Sequence, residues 1–317
     1  MSWSGRRVLV TGHTGFKGAW LCLWLARRGA RVTGFAGAPP TRPSLFELAG
    51  VGDDVEDLRG DVRDAAAVAA AVTRARPGVV FHLAAQPLVL RAHREPAQTM
   101  ATNVLGTVHV LDALRKTGTA GAVVVVTSDK CYAPRGDHTH TEADALGGVE
   151  PYAASKAAQE LVATSFREAY GLPIATARAG NVIGGGDWAE DRLVPDLVRA
   201  AARGRPLTVR NPEHVRPWQH VLNPLAGYLL LAERLLEGQD VATGWNFGPD
   251  GGGSHPHSVG LPSQAVEHER DEDQPEQQRH EGARVVHEPL AHQPHAVVVS
   301  EGRAGEGGSD SATPAQG

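Results

Sequence analysis

The chain has 317 residues, a formal net charge of -5 and two cysteines, Cys22 and Cys131. That length buries a substantial core in one large or two smaller domains. The mild negative charge gives no reason to expect nucleic acid or an anionic membrane as partner, and two isolated cysteines supply neither a disulfide framework nor a cysteine metal site.

No apolar run approaches the ~20 residues that span a bilayer. The start, MSWSGRRVLVTGHTG, is broken by glycines too soon for a secretory signal. Cytoplasmic residence is the expectation. Short β-rich runs then alternate with longer amphipathic ones. RRVLVTG reads as a first strand, and Phe16 to Arg28 as a helix with Trp20, Leu21, Trp24 and Leu25 at helical spacing. ARVTGFA is a second strand, and DVEDLRGDVRD carries a third before an alanine-rich helix at Ala65–Ala75. GVVFHLAA is a fourth strand, Pro96–Lys116 a helix, GAVVVV a fifth strand, Tyr152–Tyr170 a helix and LPIATARAG a sixth strand. Strands separated by helices predict a doubly wound α/β fold around a parallel sheet. Beyond Asn181 the pattern loosens, with short helices at Leu193–Ala202 and Leu225–Leu236 and a last strand in GWNFG, pieces able to cap one end of the sheet.

Gly12, Gly15 and Gly18 stand at G-x-x-G-x-x-G spacing between the first strand and its helix. Such a loop turns tightly, brings backbone close to a pyrophosphate and lets the helix pack near the sheet, while the helix start favours an anion. An ordinary glycine-rich turn is the plainer alternative. The acid that often follows at the end of the second strand is missing. Thr33-Gly34-Phe35-Ala36 stands there and does not separate NAD from NADP. Asp61 and Val62, ending the third strand, offer an edge for an adenine ring. Asp61 reads equally as a helix cap before Ala65.

The fifth strand ends in Thr127, Ser128, Asp129 and Lys130. A surface ion pair behind a strand end would explain them, and so would a catalytic cluster at the carboxyl end of a parallel strand. Tyr152 and Lys156 lie four apart, on one face of a helix. A lysine cation beside the phenol would pull it below its usual value near ~10 and make it a base for a sugar hydroxyl.

Gly12, Gly15, Gly18, Ser128, Tyr152 and Lys156 together resemble the extended short-chain dehydrogenase/reductase superfamily. Within it, TGHTGFKGAWL, HLAAQPLV, TSDKCY, PYAASKAAQE, GNVIGGGDWAEDRLVPD and RPWQHVLNPLAGYL are similar to the CDP-glucose 4,6-dehydratases over residues 6–250. The resemblance implies a Rossmann fold, bound NAD, a nucleotide-sugar substrate and an internal redox elimination. Tyr152 and Lys156 would serve both catalysis and the cofactor, with Thr14, Phe16 and Ala84 among the cofactor contacts. Ser128 would hold the 4-oxygen and Asp129 protonate the departing 6-hydroxyl. Lys130 would act as base if its pKa is depressed by burial or by Lys156, or else steady the enolate. Asn181 and Arg216, with Arg192 behind them, would clamp the substrate pyrophosphate. A solvated surface arginine is the alternative for Arg216. Gln86 and His82 would line the cofactor or sugar, Asn103 would be structural, and Trp218 and His220 would pack. The superfamily also implies a homodimer through the two long helices.

At Asp250 the composition changes abruptly. Residues 251–317 contain no Phe, Trp, Tyr, Ile, Met or Lys and only two leucines, Leu261 and Leu290. Disorder is expected there. Their seven histidines show no ligand spacing. The division expected is a dinucleotide-binding domain over 1–180, an incomplete substrate cap with the last sheet strand over 181–250, and a tail over 251–317. The tail reads as an out-of-frame ending, which the other two frames of the coding DNA test. Two other functions stay open: a nucleotide-sugar epimerase or reductase, against which Asp129 and Lys130 argue, and a non-catalytic dinucleotide-binding protein.

Overall fold

The computed structural model describes residues 2–136, 138–209 and 215–249, with three further strand segments, Ser254–Pro256, His268–Glu269 and Gly282–Val285. β1 is Arg7–Thr11, β2 Arg31–Ala36, β3 Glu56–Arg59, β4 Val79–His82, β5 Ala122–Val126 and β6 Ile174–Ala179. With the strand Gly244–Phe247 they form one seven-stranded sheet in the order Gly244–Phe247, β6, β5, β4, β1, β2, β3. Every pairing is parallel, so the doubly wound α/β fold read from the alternation is the fold observed.

Side-chain alternation lets the valine run of β5 serve two layers. Val123 and Val125 pack with Leu9 and Val80 under the helices Ala65–Ala75, Gly106–Thr117 and Pro151–Tyr170. Val124 and Val126 pack with Val8, Val10 and Phe81 under Phe16–Arg27 and Leu222–Leu236. Both faces of the strand are covered, so polar side chains begin only where it ends, at Thr127. The sheet order reverses at β1, which lies between β2 and β4. A crevice therefore opens beyond the carboxyl ends of β1 and β4, the position at which such sheets take ligands.

The helix expected over Pro96–Lys116 is interrupted. It runs as Pro96–Met100, a π turn at Ala101–Leu105, and Gly106–Thr117. Asn103 sits in the π turn, where its side chain accepts from Gln86 N (2.7 Å) and donates to Gln86 O (3.1 Å) and Ser155 Oγ (2.8 Å). The insertion aims this amide at the loop after β4, in keeping with its expected structural role.

The cap is tied to the sheet by backbone. Val182–Ile183 pairs in parallel with Gln219–His220, Gln219 N donates to Asn181 O (2.9 Å), and Gln219 Nε2 donates to Phe247 O (2.7 Å). Three segments of the tail add short strands here. Ser254–Pro256 pairs with Val215–Pro217, and Gly282–Val285 lies between His268–Glu269 and Leu207–Val209. These pairings are made by backbone and need no apolar side chain. The remainder of the expected disordered tail lies outside the described residues. Among the described residues no helix is long and apolar enough to cross a membrane.

Candidate active site

The glycine loop follows β1. Gly12 has φ +76°, a left-handed conformation that other residues rarely adopt, and a Cβ there would lie 2.7 Å from Ala84 N. A Cβ on Gly18 would overlap the Gly12 carbonyl oxygen. Gly15 is different. It precedes Phe16–Arg27 without a side-chain cap, no acid occupies the first turn, and its Cβ would meet only Gly12 O at 3.4 Å. The first N–H groups of that helix are left for an anion, and the space beside Gly15 suits a pyrophosphate. Thr14 is buried beside the loop. The residues present thus fit a dinucleotide.

His13 accounts for the missing acid of β2. Its buried ring occupies the space over Gly34, where any Cβ would overlap the imidazole, and Nε2 lies 2.8 Å from Asp57 Oδ1 of β3. Burial, partly offset by Asp57, lowers the imidazole pKa.

A cavity of about 600 Å³ opens beside this loop. Ser128, Asp129, Lys130, Tyr152, Lys156, Asn181, Arg192, Arg216 and Phe16 all line it, so the end of β5, the helix Pro151–Tyr170 and the segments after β6 meet at one cavity. Trp218, expected only to pack, lines it as well, and His220 is exposed rather than packed. Gly12, Thr14, Gly15, Gly18, Ala84, Asp61, Val62 and Gln86 do not line this cavity.

Ser128 Oγ donates to Asp129 Oδ1 (2.9 Å). Burial raises the Asp129 pKa, against the pull of Ser128, Lys130 and Arg216, which suits a group that must hold a proton. Lys156 is 2% exposed, with Nζ donating to Gln159 Oε1 (2.7 Å) and Val126 O (3.3 Å). Burial, then the charge of Lys17, brings its pKa down to about 7. Tyr152 departs from expectation. Burial pushes its pKa up to about 12, with Ser128 acting in the opposite direction. The lysine that was to lower it is tied to other acceptors, 5.9 Å from the ring centroid.

Other expectations are corrected by burial and hydrogen bonding. Lys130 is exposed at the cavity rim, so the burial that a basic role requires is absent. Gln86 is buried and uses its amide within its own loop: Leu88 N donates to its Oε1 (2.6 Å), and Nε2 donates to Leu88 O (3.1 Å) and Thr99 Oγ1 (2.9 Å). It shapes the wall without facing it. His82 is fully buried between Thr11 Oγ1 (2.7 Å) and Thr107 Oγ1 (3.0 Å), and burial holds its pKa down at about 3, so it is a neutral core group. Asp61 is exposed and paired with Arg63, and the helix cap is Asp64, which accepts from Ala66 N and Ala67 N. Val62 is buried against Gly106.

Three features went unread in the sequence. Lys17, on the first turn of Phe16–Arg27, lines the cavity. Burial and Arg192 bring its pKa down to about 8, against Asp129 and Asp187. Its place in the TGFKG turn was the available signal. Asp187 also lines the cavity and holds Arg192 Nη1 (2.8 Å). Behind the site, Glu160 and Arg178 form a buried ion pair (2.8 Å), and Thr176 Oγ1 donates to the same carboxylate (2.6 Å). No motif marks that pair.

The family model for the NAD-dependent epimerase/dehydratase family matches residues 8–244. The chain belongs to this family. It is 49% identical over 258 residues to the CDP-glucose 4,6-dehydratase of Salmonella typhimurium strain LT2, covering 78% of this chain and 72% of the relative. It is 32% identical over 228 residues to the dTDP-glucose 4,6-dehydratase of Xanthomonas campestris pv. campestris, covering 67% of this chain and 64% of that one. A dTDP-glucose 4,6-dehydratase from Streptomyces venezuelae, solved with NAD bound, superposes with a TM-score of 0.67 at 27% identity over 77% of this chain and 76% of its own. NAD is the family's cofactor, and the uncapped helix start and the space beside Gly15 are where this family member would hold its pyrophosphate.

Proposed function

We propose that this chain is a CDP-glucose 4,6-dehydratase, a hydro-lyase that forms CDP-4-keto-6-deoxy-glucose. The observation that carries this reading is the convergence of Ser128, Asp129, Tyr152 and Lys156 on one cavity flanked by the glycine loop. The 49% identity to a protein of that name supports the choice of substrate. When bound, NAD supplies a reversible hydride acceptor whose cationic ring also favours the phenolate.

Tyr152 Oη takes the proton of the sugar 4-hydroxyl as that carbon becomes a ketone, and Ser128 Oγ hydrogen-bonds the same oxygen. The ketone acidifies carbon 5. Asp129, whose pKa burial raises, gives a proton to the leaving 6-hydroxyl, so water departs. Lys130, exposed at the rim, steadies the enolate by its charge, and the carbon-5 proton leaves to solvent at that open rim and is regained from it once carbon 6 has been reduced. Lys156 holds the Tyr152 end of the helix against Val126 O. Asn181, Arg192 and Arg216, all on the cap side, hold the substrate pyrophosphate.

Residues 1–180 act as the dinucleotide-binding unit and 181–250 as the cap with the last sheet strand. The chain pairs as a homodimer through the helices at Pro96–Thr117 and Pro151–Tyr170, where Leu105 and Leu161 are exposed.

The test is incubation of the purified full chain and NAD with CDP-, dTDP- and GDP-glucose. A 4-keto-6-deoxy product from the cytidine substrate, with no net NADH, is the expected result. An epimer formed without loss of water would move the assignment to an epimerase, and NAD binding without turnover to a non-catalytic protein.

A further inference from the structure

Between the turn at Asp129–Cys131 and the helix Pro151–Tyr170 the chain makes a loop closed at its base by backbone. Ala133 N donates to Ala145 O (2.9 Å), Gly147 N donates to Cys131 O (2.8 Å), and Tyr132 bridges to Leu146. Three side chains of this loop turn toward one point. His138 Nε2 lies 2.8 Å and His140 Nδ1 3.3 Å from Asp144 Oδ2, and all three ligand atoms lie within 4.8 Å of one another. Among the described residues no other group of three such side chains comes together. None of the three lines the catalytic cavity.

The arrangement is supported from behind. The His140 ring stacks on Tyr132, 4.6 Å between centroids and 7° from parallel. Tyr132 Oη donates to Asn246 Oδ1 (2.6 Å) and accepts from Arg178 Nη1 (2.8 Å), which places the stack on the buried Arg178–Glu160 pair. Asn246 Nδ2 also donates to His140 O (3.3 Å). Asp144 is held by Thr141 N at Oδ2 (2.9 Å) and by Arg135 at Oδ1 (3.0 Å). The rings of His138 and His140 stand 87° apart, so their nitrogens meet at the carboxylate from different directions. His138 is exposed, which leaves an entry path from solvent.

Tetrahedral zinc, with ligands at about 2.0–2.2 Å, sets neighbouring ligand atoms roughly 3.3–3.6 Å apart. The present separations reach that by side-chain shifts of about an ångström. Two imidazole nitrogens and one carboxylate oxygen suit a zinc-class ion and not calcium or magnesium, which take oxygen. We propose that His138, His140 and Asp144 bind one zinc-class divalent cation, with water in the fourth position. The ion fastens the loop that joins the catalytic turn to the catalytic helix. The simpler arrangement, a carboxylate shared by two imidazole N–H donors, needs no metal and is separated by experiment.

The probe is Co²⁺ added to the chelator-stripped full chain. The tail contains seven further histidines, so the reference protein has all seven changed to glutamine. The expected result is one equivalent of Co²⁺ with visible ligand-field absorption, displaced by Zn²⁺, and a melting temperature raised by roughly 5 °C or more at about 100-fold excess over Kd. His138→Gln and Asp144→Asn, at exposed or half-buried loop positions, should weaken binding by more than the roughly 10–100-fold lost with a merely supporting partner, and should move the metal-free melting temperature by less than the rise that Co²⁺ gives the reference protein. Absence of that equivalent in the reference protein, or its survival in both variants, overturns the proposal. A metal-free melting temperature lowered equally in both variants, without Co²⁺ binding in the reference, assigns the cluster to ion pairing instead.

Discussion

Lys156→Met should stabilise the protein while abolishing turnover. The wild-type ammonium is buried, and its pKa falls from the ordinary 10.5 to about 7. Between those values the unfolded chain binds a proton that the folded chain does not. Stability therefore rises with pH across that window, and the full penalty applies below it. The difference of roughly 3.5 units, at ~1.36 kcal/mol each, corresponds to about 5 kcal/mol at pH 7 and below. Methionine matches the shape of the lysine stem but leaves Gln159 Oε1 without the donor it has at 2.7 Å, a loss of about 1–3 kcal/mol. The net gain is about 2–4 kcal/mol, a rise of roughly 4–16 °C in melting temperature for a domain of this size. Calorimetry of both proteins at pH 7 and near ~9.5 is the assay, and the gap should narrow at the higher pH as wild type sheds its penalty. A variant that melts below wild type at pH 7, or a gap that does not narrow, would refute the reasoning that Lys156 is held against its own desolvation. Product formation should be undetectable at either pH, because no Nζ remains to hold the Tyr152 end of the helix against Val126 O.

Asp129→Asn should slow product release of water by about 10²–10⁴-fold, the range for loss of a general acid, while leaving NAD affinity unchanged; rapid-quench product analysis and cofactor titration check the two halves. Glu160→Gln leaves the Arg178 guanidinium buried without its partner and should cost about 3–5 kcal/mol, read as a lowered denaturation midpoint. Gly18→Ala forces a methyl into the Gly12 backbone, whereas Gly15→Ala meets only one oxygen at 3.4 Å. The first should lose both thermal stability, by about 1–3 kcal/mol, and NAD binding. The second should keep its melting temperature and lose only NAD affinity, measured by calorimetric titration.

Elements with strong local patterns were legible because their cause is local. The alanine-rich helix at Ala65–Ala75 and the cap helix at Leu193–Ala202 begin and end where periodicity placed them. The helix after β4 was not, because its π turn is set by Asn103 reaching Gln86, a contact made across folded loops.

By itself, the sequence determined the α/β architecture and the glycine loop. Alternation, spacing and residue chemistry along the chain are enough to state these. Only the tertiary structure decided how each group is charged and where it faces. It buried Tyr152 and Lys156, left Lys130 at the rim, turned Gln86 and His82 inward and brought Lys17 into the cavity. Desolvation depends on which distant segments cover a side chain, and no stretch of sequence carries that information within itself.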